Sequence, residues 1–252
     1  MGNKIGTDIT GTESLGVYHS GILVVSASNT IGGTASGASN LIAGFGNPGG
    51  GATDVSTGIW LDSSGATSNL IEGNLIGTNV TGKAILNSST HPGIYVAYGA
   101  QGNTIGGTAA GTGNTVDGFG QGMFITQSAT GNVVERNKIG TDETGTVALG
   151  NTNQGILITL ATSNTIGGTA AGAGNVISGN LDGGVDDDAG GNLYEGNFIG
   201  ANAAGTAALP NTGDGIDANG SGSTIGGSTC GASNLISGNT GNGVGITGAD
   251  NL

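Results

Sequence analysis

The sequence predicts an all-β chain wound as a right-handed parallel β-helix, with three parallel sheets and about eight turns of about 30 residues each. Three observations carry that expectation. Two phrases alternate along the chain: NTIGGTASGASNLIAG from Asn29, with copies from Asn103, Asn164 and Ser223, and GNKIGTDITGTESLG from Gly2, with copies from Gly73, Arg136 and Gly196. The spacing between their aliphatic residues is nearly constant. Each aliphatic burst is short, rich in Ile and Val and closed by Gly or Asn, which reads as strand and not as helix. The handedness follows from the chirality of crossovers between parallel strands.

Taken in order, the first unit places aliphatics at Ile5, Ile22, Ile31, Ile42, Ile59, Ile71 and Ile76. The second has Ile94, Ile105, Val116, Met123, Val134 and Ile139, and the third Ile156, Ile166, Ile177, Val185, Tyr194 and Ile199. Ile216, Ile225, Ile236 and Val244 complete the series. From the isoleucine of each NTIGG-type phrase to the next burst is 11 residues in all four copies, the step into the following IGT-type phrase is always 5, and the step out of it is 17 or 18. Three bursts therefore close one turn, and each unit of about 60 residues holds two turns. Equivalent aliphatics stack from turn to turn into a core that no single turn buries alone. Asn40, Asn114, Asn175 and Asn234 are expected to form an amide ladder at one corner, and Asn3, Asn74, Asn137 and Asn197 at another. The chain reads as a single domain over 1–252, excised from a longer array, because neither end carries a polar cap; rods stacking end to end are the alternative.

Composition narrows the partners. With 57 Gly but only 3 Pro and no G-x-x period, a collagen helix is excluded. The net charge is −13 and the only cations are Lys4, Lys83, Arg136 and Lys138, too few to neutralise phosphates, so neither nucleic acid nor an anionic membrane is an expected partner. No apolar run is long enough to span a bilayer. Cys230 is alone, so no disulfide forms within the chain.

Strand alternation singles out one column. If Ile22, Ile59, Ile94, Met123, Ile156, Val185, Ile216 and Val244 face inward, the next residue of each faces out, giving Leu23, Trp60, Tyr95, Phe124, Leu157, Asp186, Asp217 and Gly245. Its aromatic stretch is the candidate ligand surface: Leu23, Trp60, Tyr95, Phe124 and Leu157 suit the rings of a glycan or a neighbouring copy of the rod. A local loop covering them is the plainer alternative. Just beyond come Asp182, Asp186, Asp187 and Asp188, with Asp214 and Asp217 one turn on. Asp186, Asp188 and Asp217 are candidates for a Ca²⁺ site or a catalytic carboxyl pair, or they form a solvated patch. Asp187 falls where Val24, Leu61, Val96, Ile125 and Ile158 point inward, so it is either a buried acid with a partner or the sign of a register slip. Asp8, Asn79, Asp142 and Asn202, recurring in the G-[TA]-[DN] phrase, are expected to close Asx-turns in the 17-residue step and not to bind metal. An excursion spanning Phe45 to Thr57 is expected to be either a flexible loop or a lip beside a groove.

These GI-x-V, NTIGG, GNVISGN and GNxIGT phrases resemble the parallel β-helix repeats of the pectate-lyase-like superfamily, in particular the Gly- and Asn-rich arrays of large bacterial surface proteins. The resemblance covers essentially the whole chain. It implies the fold above and an extracellular or cell-surface location, but spans lyases, glycosidases, adhesins and inert spacers. Of the catalytic signatures of polygalacturonase-like members, only the acidic run resembles a DD; His19 and His91 lie in YHSG and HPG, and none of the four cations lies near Asp186 as a lyase base would. The expected function is thus a non-catalytic structural or adhesive rod, with a polysaccharide-active enzyme using Asp186, Asp188 and Asp217, or an end-to-end filament subunit, as alternatives.

Overall fold

The computed structural model describes residues 2–46, 56–87 and 89–252. Among them there is no helix, and the strands form three parallel sheets, two of eight strands and one of seven. The chain visits the sheets cyclically. Sheet 1 opens with Lys4–Ile5, sheet 2 with Ile22–Val24 and sheet 3 with Thr30–Gly32, after which Leu41–Ile42 returns to pair with Lys4–Ile5. Repetition of that circuit builds a parallel β-solenoid whose core is a stack of aliphatic columns.

Register follows the sequence spacing closely. Ile166 pairs with Tyr194 and Tyr194 with Ile225 in sheet 3, while Val116, Ile139, Ile177 and Ile199 succeed one another in sheet 1. Ile42, Ile76, Ile94, Ile105, Ile139, Ile156, Ile166 and Ile199 are all completely buried. Each such side chain contributes about 1.5–3 kcal/mol relative to exposure, but only because the turns above and below cover it.

The 11-residue and 5-residue arcs both run from sheet 3 to sheet 1, and this corrects the expectation of two separate asparagine ladders. Both sets of Asn precede a sheet 1 strand at the same corner on alternate turns. They interleave in one ladder, Asn3–Asn40–Asn74–Asn114–Asn137–Asn175–Asn197–Asn234, with each side-chain amide donating to the Oδ1 of the next. A second ladder stands before sheet 3, running Asn29–Asn69–Asn103–Asn132–Asn164–Asn192 and ending on Ser223 and Asn251. A third, before sheet 2, runs Asn151–Asn180–Asn211–Asn239. Phe45 and Phe119 occupy this third corner in earlier turns, their ring centroids 5.9 Å apart.

Glycine fixes the entry into sheet 2. Gly21, Gly58, Gly93, Gly122, Gly155, Gly184 and Gly215 each precede a strand, and a Cβ at Gly155 would stand 2.5 Å from Ile177 Cγ2 and 2.7 Å from the Gly184 carbonyl oxygen. Close approach between turns, not a positive φ, demands glycine here.

The 17- or 18-residue steps from the IGT-type strands of sheet 1 to sheet 2 form hairpin arms, each closed by an antiparallel bridge: Thr7 with Ser14, Thr78 with Ile85, Thr141 with Ala148 and Ala201 with Ala208. The Asx residues shape them as expected. Asp8 Oδ1 accepts from the amides of Gly11, Thr12 and Glu13, and Asp142 Oδ1 from those of Thr146 and Val147. The Thr10 hydroxyl first, then the Glu13 and Thr12 amides, hold the Asp8 carboxyl below its ordinary range. Successive arms are joined by Val80 N donating to Gly11 O, Glu143 N to Gly82 O and Ala203 N to Gly145 O. Would-be side chains at Gly11 and Gly82 would press on Leu41 and Leu75, so the arms lie over the outer face of sheet 1. Sheet 2 is left to carry the candidate site. Most of the excursion after Phe45 lies outside the described residues.

Candidate functional site

Sheet 2 comprises Ile22–Val24, Ile59–Asp62, Ile94–Ala97, Met123–Ile125, Ile156–Ile158, Val185–Asp187, Ile216–Ala218 and Val244–Ile246. Its middle positions pair in the order Leu23, Trp60, Tyr95, Phe124, Leu157, Asp186, Asp217 and Gly245. The column inferred from alternation is therefore continuous. Strand spacing sets its three rings one above another: the Trp60 and Tyr95 centroids are 5.5 Å apart, and Tyr95 stacks on Phe124 at 5.4 Å with planes 24° apart. Leu23 is 55% exposed, and Trp60, Tyr95, Phe124 and Leu157 are half-buried. Burial first, then the neighbouring Tyr98 and Asp62, raises the Tyr95 hydroxyl above its ordinary pKa. The Trp60 indole nitrogen is buried and has no hydrogen-bond partner among the described residues.

Tyr98 is the fourth ring and was not legible in the sequence. It lies just past the strand Ile94–Ala97 with φ +54°, and this left-handed turn brings its ring to 6.3 Å from Trp60, half-exposed. Strand alternation says nothing of a residue beyond the strand end. Gln127 adds a polar contact, its Nε2 donating to the Tyr95 hydroxyl at 3.4 Å.

The acidic stretch begins one turn past Leu157. Asp182, Asp186, Asp214 and Asp217 line an open groove together with Gln154. Gln154 Nε2 donates to Asp182 at 3.1 Å and to Asp186 at 3.5 Å, while Asn219 Nδ2 donates to Asp186 at 3.2 Å and to Asp188 at 3.1 Å. Asp186 is pushed up to about 6, chiefly by burial, then by the charges of Asp188 and Asp217, against the Asn219 hydrogen bond. Lys4 and Lys138 belong to sheet 1, Lys83 to a hairpin arm, and Arg136 to the sheet 3–sheet 1 corner, so none of the four lies on sheet 2. Among the described residues no three Asp, Glu, His or Cys side chains are arranged to hold a metal ion.

Asp187 keeps register and is completely buried, which decides between its two readings. Its Oδ2 accepts from Ser223 Oγ at 2.6 Å, and Oδ1 accepts from Gly190 N at 2.9 Å and Asn192 Nδ2 at 3.1 Å. Ser223 stands where the ladder otherwise has Asn, so the acid and its shorter partner fit one another. Burial first, then the nearby Asp187 carboxylate, push the pKa of the buried Tyr194 hydroxyl well up.

The fold and this face define a parallel β-solenoid with an aromatic and acidic stripe along one sheet. Set against protein-family models, the curated proteins and the solved structures, the chain matches none.

Proposed function

We propose that this chain is a rigid structural and adhesive rod of an extracellular or cell-surface bacterial protein, related to the pectate-lyase-like superfamily, that binds glycan through the face Leu23, Trp60, Tyr95, Phe124 and Leu157. The observation that carries the reading is the in-register ring column, stacked at 5.4–5.5 Å on a sheet that the hairpin arms leave open. Sugar rings present apolar faces that stack on such platforms, and parallel strands supply the platforms at a fixed repeat. The ring-lined face also suits a second copy of the rod. Trp60→Ala and Tyr95→Ala variants are expected to keep the β circular dichroism of the native chain. Each should weaken glycan binding about tenfold or more, the scale of a central aromatic contact. Titration calorimetry against neutral and charged polysaccharides measures this, and sedimentation reports self-association in parallel. Unchanged affinity in the double variant rules the face out.

One observation favours a second reading, that of a polysaccharide-active enzyme. Asp186 holds its proton to about pH 6 beside Asp217 on the next strand, as a general acid does beside a second carboxyl. Turnover would then decline above about pH 6 as Asp186 ionises, and Asp186→Asn and Asp217→Asn would each abolish reducing-sugar release. Native protein without activity across polysaccharides at about pH 5 removes this reading.

A further inference from the structure

The least explained group in the molecule lies away from this face. Asp117 follows Val116 at the corner where sheet 1 gives way to sheet 2, is completely buried, and neither carboxyl oxygen has a side-chain hydrogen-bond partner among the described residues. The equivalent position two turns on is Ser178, after Ile177. There the hydroxyl donates to the Ala201 carbonyl at 2.8 Å and accepts from Gly200 N at 3.0 Å. Val116 pairs with Ile139 as Ile177 pairs with Ile199, so the groups corresponding to Gly200 N and Ala201 O are Gly140 N and Thr141 O. The corner is therefore built for a side chain that both donates and accepts. A carboxylate only accepts, whereas a protonated carboxyl does both.

We propose that Asp117 is carried as a neutral carboxylic acid whose hydroxyl serves the Thr141 carbonyl, and that its proton is a pH-sensitive lock on the corner leading into Met123–Ile125.

The surroundings agree. Among the described residues the one charged group acting on Asp117 is Asp142, on the hairpin arm after Lys138–Ile139; burial first, and then that charge, raise the Asp117 pKa well above the carboxylate range. The Gly140 amide, shared with the Val116 carbonyl at 3.2 Å as Gly200 N is shared with the Ile177 carbonyl, opposes this but is the smallest of the three influences. The other neighbours at the corner are neutral: Ile85 and Asn87 crowd Gly118, the Gly77 backbone closely approaches the Asp117 carbonyl, and Asn151 Oδ1 accepts from Phe119 N. Ionisation would set a charge, served by one shared amide, against a carbonyl in a dry interior, which the corner relieves by opening. The segment 117–122 joins sheet 1 to the strand carrying Phe124, so opening there loosens one end of the ring column.

The folded state binds the Asp117 proton more tightly than the unfolded chain, so this contribution to stability is full at acid pH and declines as pH rises through the folded midpoint. Asp117→Ser, installing the residue of the later repeat, should therefore lose less Tm than the native chain as pH rises above the ordinary carboxyl range, and be the more thermostable of the two at about pH 8. Asp117→Asn, which keeps a donor and carries no charge, should behave alike. Both are compared in an Asp186→Asn background, because Asp186 itself titrates near 6. In the native chain the ¹³C carboxyl resonance of Asp117 should stay in its protonated position at neutral pH, and exchange of the Gly122 and Met123 amides should accelerate in alkali. An Asp117 resonance titrating near the ordinary value of about 4 overturns the proposal, as does a native Tm profile that Asp117→Ser leaves unchanged.

Discussion

Gly155→Ala is expected to destabilise the solenoid by about 3 kcal/mol, at the upper end of what overpacking costs. The added methyl would stand 2.5 Å from Ile177 Cγ2, 2.7 Å from the Gly184 carbonyl oxygen and 2.8 Å from Asn180 Nδ2. None of these has room to yield. Ile177 is completely buried in the central column, Gly184 is held by the next turn, and Asn180 is a rung of the third ladder, bonded to Asn151 and Asn211. Relief would require two turns to move apart, weakening every hydrogen bond between them. Gly102 is the comparison: its φ is +60° and nothing lies within 4 Å of a Cβ there, so Gly102→Ala carries only the left-handed strain of about 1–2 kcal/mol. Urea unfolding of both variants measures the difference. If Gly155→Ala proves no worse than Gly102→Ala, close packing of turns at this corner is not what selects glycine.

Asn137→Ala should cost about 3–5 kcal/mol, the range reached when a buried polar network is broken from one side. Asn137 is completely buried, its Nδ2 donating to the carbonyls of Ile105 and Glu135 and to Asn175 Oδ1 at 2.9–3.0 Å. Its Oδ1 accepts from the backbone and side-chain nitrogens of Asn114 at 3.1 and 2.9 Å. Alanine strands partners on two neighbouring turns at once, in a space closed to water, and each orphan costs about 1–3 kcal/mol before relaxation. Equilibrium unfolding in denaturant is the measurement. A loss below about 0.5 kcal/mol, the level of an ordinary surface change, would show that the ladder is ornamental to stability.

Much of this was legible in the chain because a solenoid repeats its errors as well as its successes. Constant 11- and 5-residue arcs mark the strands, and alternation from Ile59 and Ile94 is enough to place Trp60 and Tyr95 on one outer column. Asp187 was recognised as anomalous by its position, though only its bonds to Ser223 and Asn192 showed that the anomaly is satisfied. The ladders were half legible: spacing within a phrase identified the Asn residues, but two arcs of different length delivering Asn to the same corner is a fact of closure in space. Tyr98 escaped because its place depends on a single left-handed residue, and Asp117 because its surroundings follow from the neighbouring turn and not from its own sequence.

By itself, then, the sequence determined the winding: which residues are strands, which face inward, and which side chains recur above one another, since a period kept through eight turns admits one register. The tertiary structure alone decided what each recurring side chain meets. Hydrogen bonding, burial and proton affinity are set by the turn above and the turn below, some 20 to 40 residues away in the chain, and local pattern carries no record of that distance.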